Sequence, residues 1–342
     1  MRAKSDENGL PGRLSRRDFL KVKAGAIALA GAAGLGAVGR RLVGGSEPYR
    51  PIIAAGHEHH AMGAVGSVPT DDFDPHAFLT DFDWGVATHE GGRAVRTYDL
   101  VASDKEIEVA PGLFFPAWTY NGRVPGPTIR CRAGDWIRVR FANAGSHPHT
   151  IHFHGIHPVP MDGIDPIPPG GSFVYEFEAQ PFGLHLYHCH AIPLKRHIHK
   201  GLDGAFIIDP PQGRPAAREL VMVMNGFDTN FDGENEVYAV NSVAFAYMHR
   251  PIPVAVGELV RIYLVNVTEF DPINSLHIHA NMFKLFRTGT NLEQFEYTDN
   301  VMMCQGERHV LELVFPTPGK YMFHAHQSEF AELGWMGFIE AA

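Results

Sequence analysis

The sequence predicts an all-β protein made of two similar domains, on three observations. Glycine (36) and proline (25) are plentiful and scattered over the 342 residues, which suits short strands and turns rather than long helices. The stretch "DWIRVRF" alternates, with Ile137, Val139 and Phe141 on one face of a strand and Arg138 and Arg140 on the other. The pattern then returns. "GDWIRVRFANAGSHPHTIHFHG" followed by "PFGLHLYHCHAI" is answered by "GELVRIYLVNVTEFDPINSLHIHA" followed by "TPGKYMFHAHQS".

Along the chain, residues 1–43 read as an address. "SRRDFLK" precedes the small-residue apolar run "AGAIALAGAAGLGAVG", the pattern of a twin-arginine export signal. That run is short and weakly apolar beside the ~20 residues of a membrane span. The mature protein is therefore expected outside the cytoplasm, periplasmic or extracellular. Residues 44–92 are poor in strand pattern, contain "HEHHAM" (His57 to Met62), and read as a mobile, solvated extension. The first domain is expected over 93–210 and the second over 211–342, with "DPPQGRPAAREL" as the linker. A formal charge of −9 argues against nucleic acid or an acidic membrane surface as partner. Three cysteines cannot build a disulfide framework.

The repeat carries its chemistry in pairs. Residues i and i+2 of a strand share a face, so His152 with His154 can reach one metal centre, as can His188 with His190, His277 with His279, and His324 with His326. One such pair is weak evidence, but four in register point to a shared metal site built from imidazoles. Cys189 lies between His188 and His190 and so faces the other way. A thiolate with two imidazoles and a weak axial neighbour makes a blue-copper electron-transfer site; His149 upstream and His197 downstream are the partners, with His199 as the alternative to His197. The strand thus joins a copper–thiolate to two cluster ligands by short covalent paths.

From about Arg96 to the C-terminus the chain resembles the multicopper oxidases, and more narrowly the two-domain members related to copper nitrite reductases. "YNGRVPGPTIR", "HTIHFHG", "HCH", "GLDGAF" and the second half's H-x-H pairs carry the resemblance. It implies two cupredoxin-like Greek-key β-sandwich domains and four coppers per functional unit. By this likeness His149, Cys189 and His197 match the type 1 ligands, and His152 and His277 the type 2 pair. His154, His188, His190, His279, His324 and His326 match the type 3 set. The implied reaction takes single electrons from a donor at the type 1 copper and reduces dioxygen to water at the trinuclear cluster. Small molecules, metal ions and redox proteins all fit as donor. His197 precedes Leu202 by the interval that separates ligand histidine from axial methionine in the reductases. Leu202 then holds the axial place, as in high-potential laccases. The second half has Asn274 and Ala325 where the type 1 histidine and cysteine would repeat, so it offers cluster ligands only. A homotrimer with clusters between chains is implied. A nitrite reductase is the alternative, but it needs only three histidines at its type 2 copper, and its usual aspartate aligns here with His152.

Weaker features complete the reading. Asp162 in "MDG" and Glu329 in "HAHQSEF" follow ligand motifs and could relay protons; surface or capping roles suit them equally. Cys131 and Cys304 are expected to be buried and inert. Lys195, Arg196, His199 and Lys200 are expected to rim the type 1 site. "DTNFDGENE" starts like a calcium loop but has Ala239 at its twelfth position, and reads as an acidic surface loop.

Overall fold

Alternation decides the layers. In the strand Trp136–Asn143 the side chains of Ile137, Val139 and Phe141 are buried, while Arg138 and Arg140 face outward and pair with Glu176 and Asp99. The computed structural model describes residues 67–68 and 74–342 and stacks such strands in four sheets, two for each half of the chain. In the first half, a six-stranded sheet runs through Ser67–Val68, Arg93–Ala110, Trp136–Asn143 and Ser172–Glu178, with Val86–Glu90 and Leu113–Tyr120 also paired to Arg93–Ala110. A five-stranded sheet packs against it in the order Phe82–Asp83, Thr128–Arg132, Asp203–Asp209, Gly183–His188, His152–Phe153.

The second half repeats the plan. Its six-stranded sheet is Val237–Val240, Arg218–Phe227, Leu259–Asn266, Arg308–Val314, Phe283–Arg287 and Glu296–Thr298. Its five-stranded sheet is Ile252–Val254, Met336–Ala341, Gly319–His324, Ile273–Ile278 and Asn300–Cys304. Each half is a β-sandwich with its own apolar core. The expected all-β class, two cupredoxin-like sandwiches, is the one observed.

A third apolar cluster joins the halves. Leu184, Leu186, Ala205 and Ile207 of the first pack on Val221, Val223, Tyr263 and Val265 of the second. Strands Gly183–His188 and Asp203–Asp209 are therefore buried on both faces, one against their own core and the other against the neighbouring domain. A charged network seals the linker end of the interface. Arg130 bridges Asp209 and Glu219 at 2.8 and 2.6 Å, and Arg261 bridges Glu219 and Glu312 at 2.9 and 2.7 Å.

Residues 74–92, read from sequence as part of a mobile extension, are instead built into the fold. Asp74 caps the helix Pro75–Thr80 by accepting from His76 N, and Leu79 inserts into the second domain's core. Tyr247 Oη donates to Pro75 O at 2.9 Å. A six-residue helix and two short strands are too brief for periodicity to reveal. The signal region 1–43, "HEHHAM" and most of 44–73 lie outside the described residues. Leu79 is 1 % exposed, so Leu79→Ala should cost about 2–5 kcal/mol, the range for a buried leucine emptied to alanine. Denaturant melts of the two proteins measure this; a loss under about 0.5 kcal/mol, the range of surface substitutions, would return the segment to the status of an extension.

Candidate metal centres

Three residues from three separate segments meet in the first domain's core. His149 sits just before the short strand His152–Phe153, Cys189 just after Gly183–His188, and His197 on the helix Leu194–His199. All three are buried. Cys189 Sγ lies 3.3 Å from His197 Nδ1 and 4.0 Å from His149 Nδ1, and the two Nδ1 atoms are 3.2 Å apart. Thr150 N donates to the same sulfur at 3.3 Å. Cys189 N donates to Leu202 O and Leu202 N to His197 O, which fixes the buried Leu202 beside the triad. His199 is not part of it: its Nε2 accepts from Asp228 N at 2.8 Å, and its ring packs on Phe270 and Phe115. One helix carries both histidines, and the two side chains reach different domains.

The eight paired histidines form two separate quartets. In the first, His152 stands 5.2 Å, ring to ring, from both His154 and His188 and 5.3 Å from His190, and His154 Nε2 is 3.2 Å from His188 Nε2. In the second, His277 stands 4.9 Å from His279 and 5.4 Å from both His324 and His326, and His279 Nε2 is 2.9 Å from His324 Nε2. Among the described residues no ring contact joins the quartets. The second is more open, with His279 and His326 exposed.

The repeat extends to what holds each ring. His152 is paired with His188 across two strands, and His277 with His324. A carbonyl can only accept, so an Nδ1 bonded to one carries the proton and leaves the ring's lone pair on Nε2. This is the case for His152 (to Asp162 O, 2.9 Å), His188 (to Cys189 O, 2.9 Å), His277 (to Asp299 O, 2.9 Å) and His324 (to Ala325 O, 2.6 Å). Thr150 Oγ1 accepts from His190 N, and Ser275 Oγ does the same for His326 N.

Asp162 also brings its carboxylate to 3.1 Å from His152 Nδ1 and 3.6 Å from His157 Nε2. Its structural counterpart is Asp299, 3.7 Å from His277 Nδ1, and not Glu329, which is exposed on the helix Ser328–Glu332. Sequence reading missed Asp299 because it lies 22 residues from His277, in the turn before the neighbouring strand Asn300–Cys304. It also missed Trp118, whose indole packs 4.8 Å from the His197 ring, 5.1 Å from His149 and 4.6 Å from His147.

Two smaller expectations are corrected, and the acidic surface loop is found at the surface with Asp228 and Asn235 tucked inward. Cys304 is exposed, on the outward face of an edge strand, whereas Cys131 is buried as expected. Of the basic rim, Lys195 and Arg196 are at the surface but His199 and Lys200 are buried. In the acidic loop, Asp228 is buried and accepts from the amides of Asp232 and Gly233.

Two family models, both described as multicopper oxidase, match residues 102–213 and 214–341. A solved structure titled as a multicopper oxidase is 55% identical, with a TM-score of 0.79 over 80% of this chain and 100% of that one. The chain belongs to the multicopper oxidase family. It is thus an oxidoreductase that uses copper, and thiolate plus imidazole is a donor set suited to that metal. A blue copper oxidase from Nitrosomonas europaea is 28% identical, with a TM-score of 0.65 over 72% of this chain and 86% of that one. A copper-containing nitrite reductase from Neisseria meningitidis serogroup A / serotype 4A (strain DSM 15465 / Z2491) is 27% identical over 65% of this chain, which spans 63% of that protein's length.

Burial sets the protonation of this multicopper oxidase's imidazoles. Desolvation lowers His149 and His154 to about 3 and His188 and His197 to about 4, helped by the neighbouring rings of His197 and His188 for the first two. All four are neutral at pH 7, the form that binds metal. Desolvation likewise lowers His199 to about 3 and His185 and His309 to about 4, away from the donor sets. Unfolded, these rings titrate near 6.5, so below that pH the unfolded chain binds more protons and stability falls. Each depressed group costs about 1 kcal/mol by roughly pH 5.5. Urea unfolding at pH 7.5 and 5.5 should show a marked loss on acidification; equal midpoints would mean that these rings are solvated.

Proposed function

We propose that this chain is a laccase-like oxidase that takes single electrons from a donor at a type 1 copper and reduces dioxygen to water at a trinuclear cluster. His149, Cys189 and His197 would hold the type 1 copper, His152 and His277 the type 2, and His154, His188, His190, His279, His324 and His326 the type 3 pair. Copper supplies one-electron transfer at the first site and, at the cluster, the four-electron reduction of dioxygen. The observation that carries the reading is the pair of matching quartets: eight histidines exceed what a nitrite reductase uses. The likeness to nitrite reductases keeps that activity as the second reading.

The chain's own residues would divide the work. Trp118, His147, Ile164 and Arg196 line a cavity of about 220 Å³ that reaches His197, room for a one-ring donor, although metal ions and redox proteins also fit. Cys189 is joined to His190 through the backbone, and to His188 also through the bond from Nδ1 to Cys189 O. Asp162, partly exposed, would orient His152 and pass protons inward; Asp299 would do the same at His277, which leaves Glu329 at most a surface relay. The twin-arginine pattern supports export to the periplasm or beyond.

Copper-loaded protein should be intensely blue and consume oxygen with a phenolic or aromatic-amine donor. Cys189→Ser should abolish the blue band and donor oxidation while the quartets still bind copper. Nitrite consumption without oxygen uptake would favour the second reading.

The cluster would form between chains, in a homotrimer. The separate quartets and the exposure of His279 and His326 support this. A contact between one chain's first domain and the next chain's second is heterologous and must close into a ring to avoid a filament. Two inactive proteins, one with His152→Ala and His154→Ala and the other with His324→Ala and His326→Ala, should regain part of the activity when refolded together, because mixed rings hold some intact interfaces. No rescue, or a sedimentation mass of one active chain, would sink the trimer.

A further inference from the structure

Lys200 caps the helix that carries His197, and its carbonyl accepts from Trp118 N at 2.7 Å. Its side chain turns inward, leaving the residue 5 % exposed. The ammonium lies 4.9 Å from the ring centre of Phe115, 5.1 Å from Phe231 and 5.8 Å from Trp118. Among the described residues no carboxylate is within ion-pair distance; the buried Asp104 acts on it from further off. Burial lowers its pKa to about 8, which still leaves it mostly charged at neutral pH. Cation–π attraction by three rings offsets part of the desolvation.

Trp118 connects this charge to the copper triad, since the same indole packs on His197 and His149. We propose that Lys200, held as a cation in the cage of Phe115, Trp118 and Phe231, raises the reduction potential of the type 1 copper. The proposal rests on the reading of His149, Cys189 and His197 as the type 1 ligands. A fixed positive charge disfavours Cu(II) more than Cu(I), and a buried charge is weakly screened by solvent and salt. Arg196 also lies over Trp118, at 5.2 Å, and its exposed guanidinium adds a second positive charge that acts on His197 from the solvent side.

The cage is shared between domains. Phe231 comes from the acidic loop of the second half and reaches over from a left-handed backbone conformation (φ 61°). At 52 % exposure it forms the outer wall between Lys200 and solvent. The half with no cysteine in the type 1 position thus adjusts the electron-entry site of the other.

The test is a spectroelectrochemical titration of the blue band in the copper-loaded full chain at neutral pH. Lys200→Met, similar in volume and at ease among aromatic rings, should keep the band and lower the midpoint potential. Lys200→Arg should restore it. Phe231→Ala, which admits water to the cage, should shift it down by less than Lys200→Met. A blue Lys200→Met protein with an unchanged or higher potential overturns the proposal. If Lys200→Met does not fold, an unchanged potential in Phe231→Ala overturns it instead. A wild-type protein that binds copper without a blue band overturns the ligand assignment itself, and the proposal with it.

Discussion

The strand Gly183–His188 is held between two apolar layers, its own core on one side and the face of the second domain on the other. A slip of one residue would exchange every side chain between those layers. Tyr187 belongs to one layer and Leu184 and Leu186 to the other, so the register is specified from both sides. Cys189 continues the first layer and His188 the second. The separation of thiolate from imidazole is thus enforced by packing over the preceding residues, not by the donors themselves.

The second half shows the same frame without the thiolate and its imidazoles. Asn274 fills the place of His149 and donates to Thr268, while buried Ala325 fills that of Cys189. The surrounding scaffold is unchanged: the hydroxyl on the residue after Asn274, the carbonyl on His324 Nδ1 and the strand pairing of His277 with His324 all persist. A sandwich can therefore carry one donor set without the other, because the two project from opposite faces of one strand.

Much of this was legible in the residues. Period-two alternation is a strong signal wherever a strand has one wet face, and it placed Ile137, Val139 and Phe141 inside and put each H-x-H pair on one side. The choice between His197 and His199 was not legible from alternation, since both sit on a short helix; the interval to Leu202 favoured His197, and the contacts of His197 with Cys189 and of His199 with Asp228 in the other domain separate them. Asp299 was missed for a similar reason, its link to His277 being made across strands. Cys304 and Lys200 were misjudged because burial at an edge strand or a helix cap depends on which neighbour covers it. The helix Pro75–Thr80 was invisible because its one buried leucine serves a domain more than a hundred residues away in sequence.

The two kinds of centre also differ in which ring nitrogen they offer. His149 and His197 turn Nδ1 toward the sulfur, whereas the tethered cluster rings offer Nε2. Nδ1 is bonded to the ring carbon next to Cβ, so a donor there is leashed closely to the backbone and has little freedom to follow a change in the metal's charge. Nε2 lies at the far edge of the imidazole, and a donor there extends beyond the sheet by the full width of the ring. The short leash would suit the proposed type 1 site, which must look the same before and after an electron arrives. The long one would suit the proposed cluster, whose two quartets would have to meet across a gap.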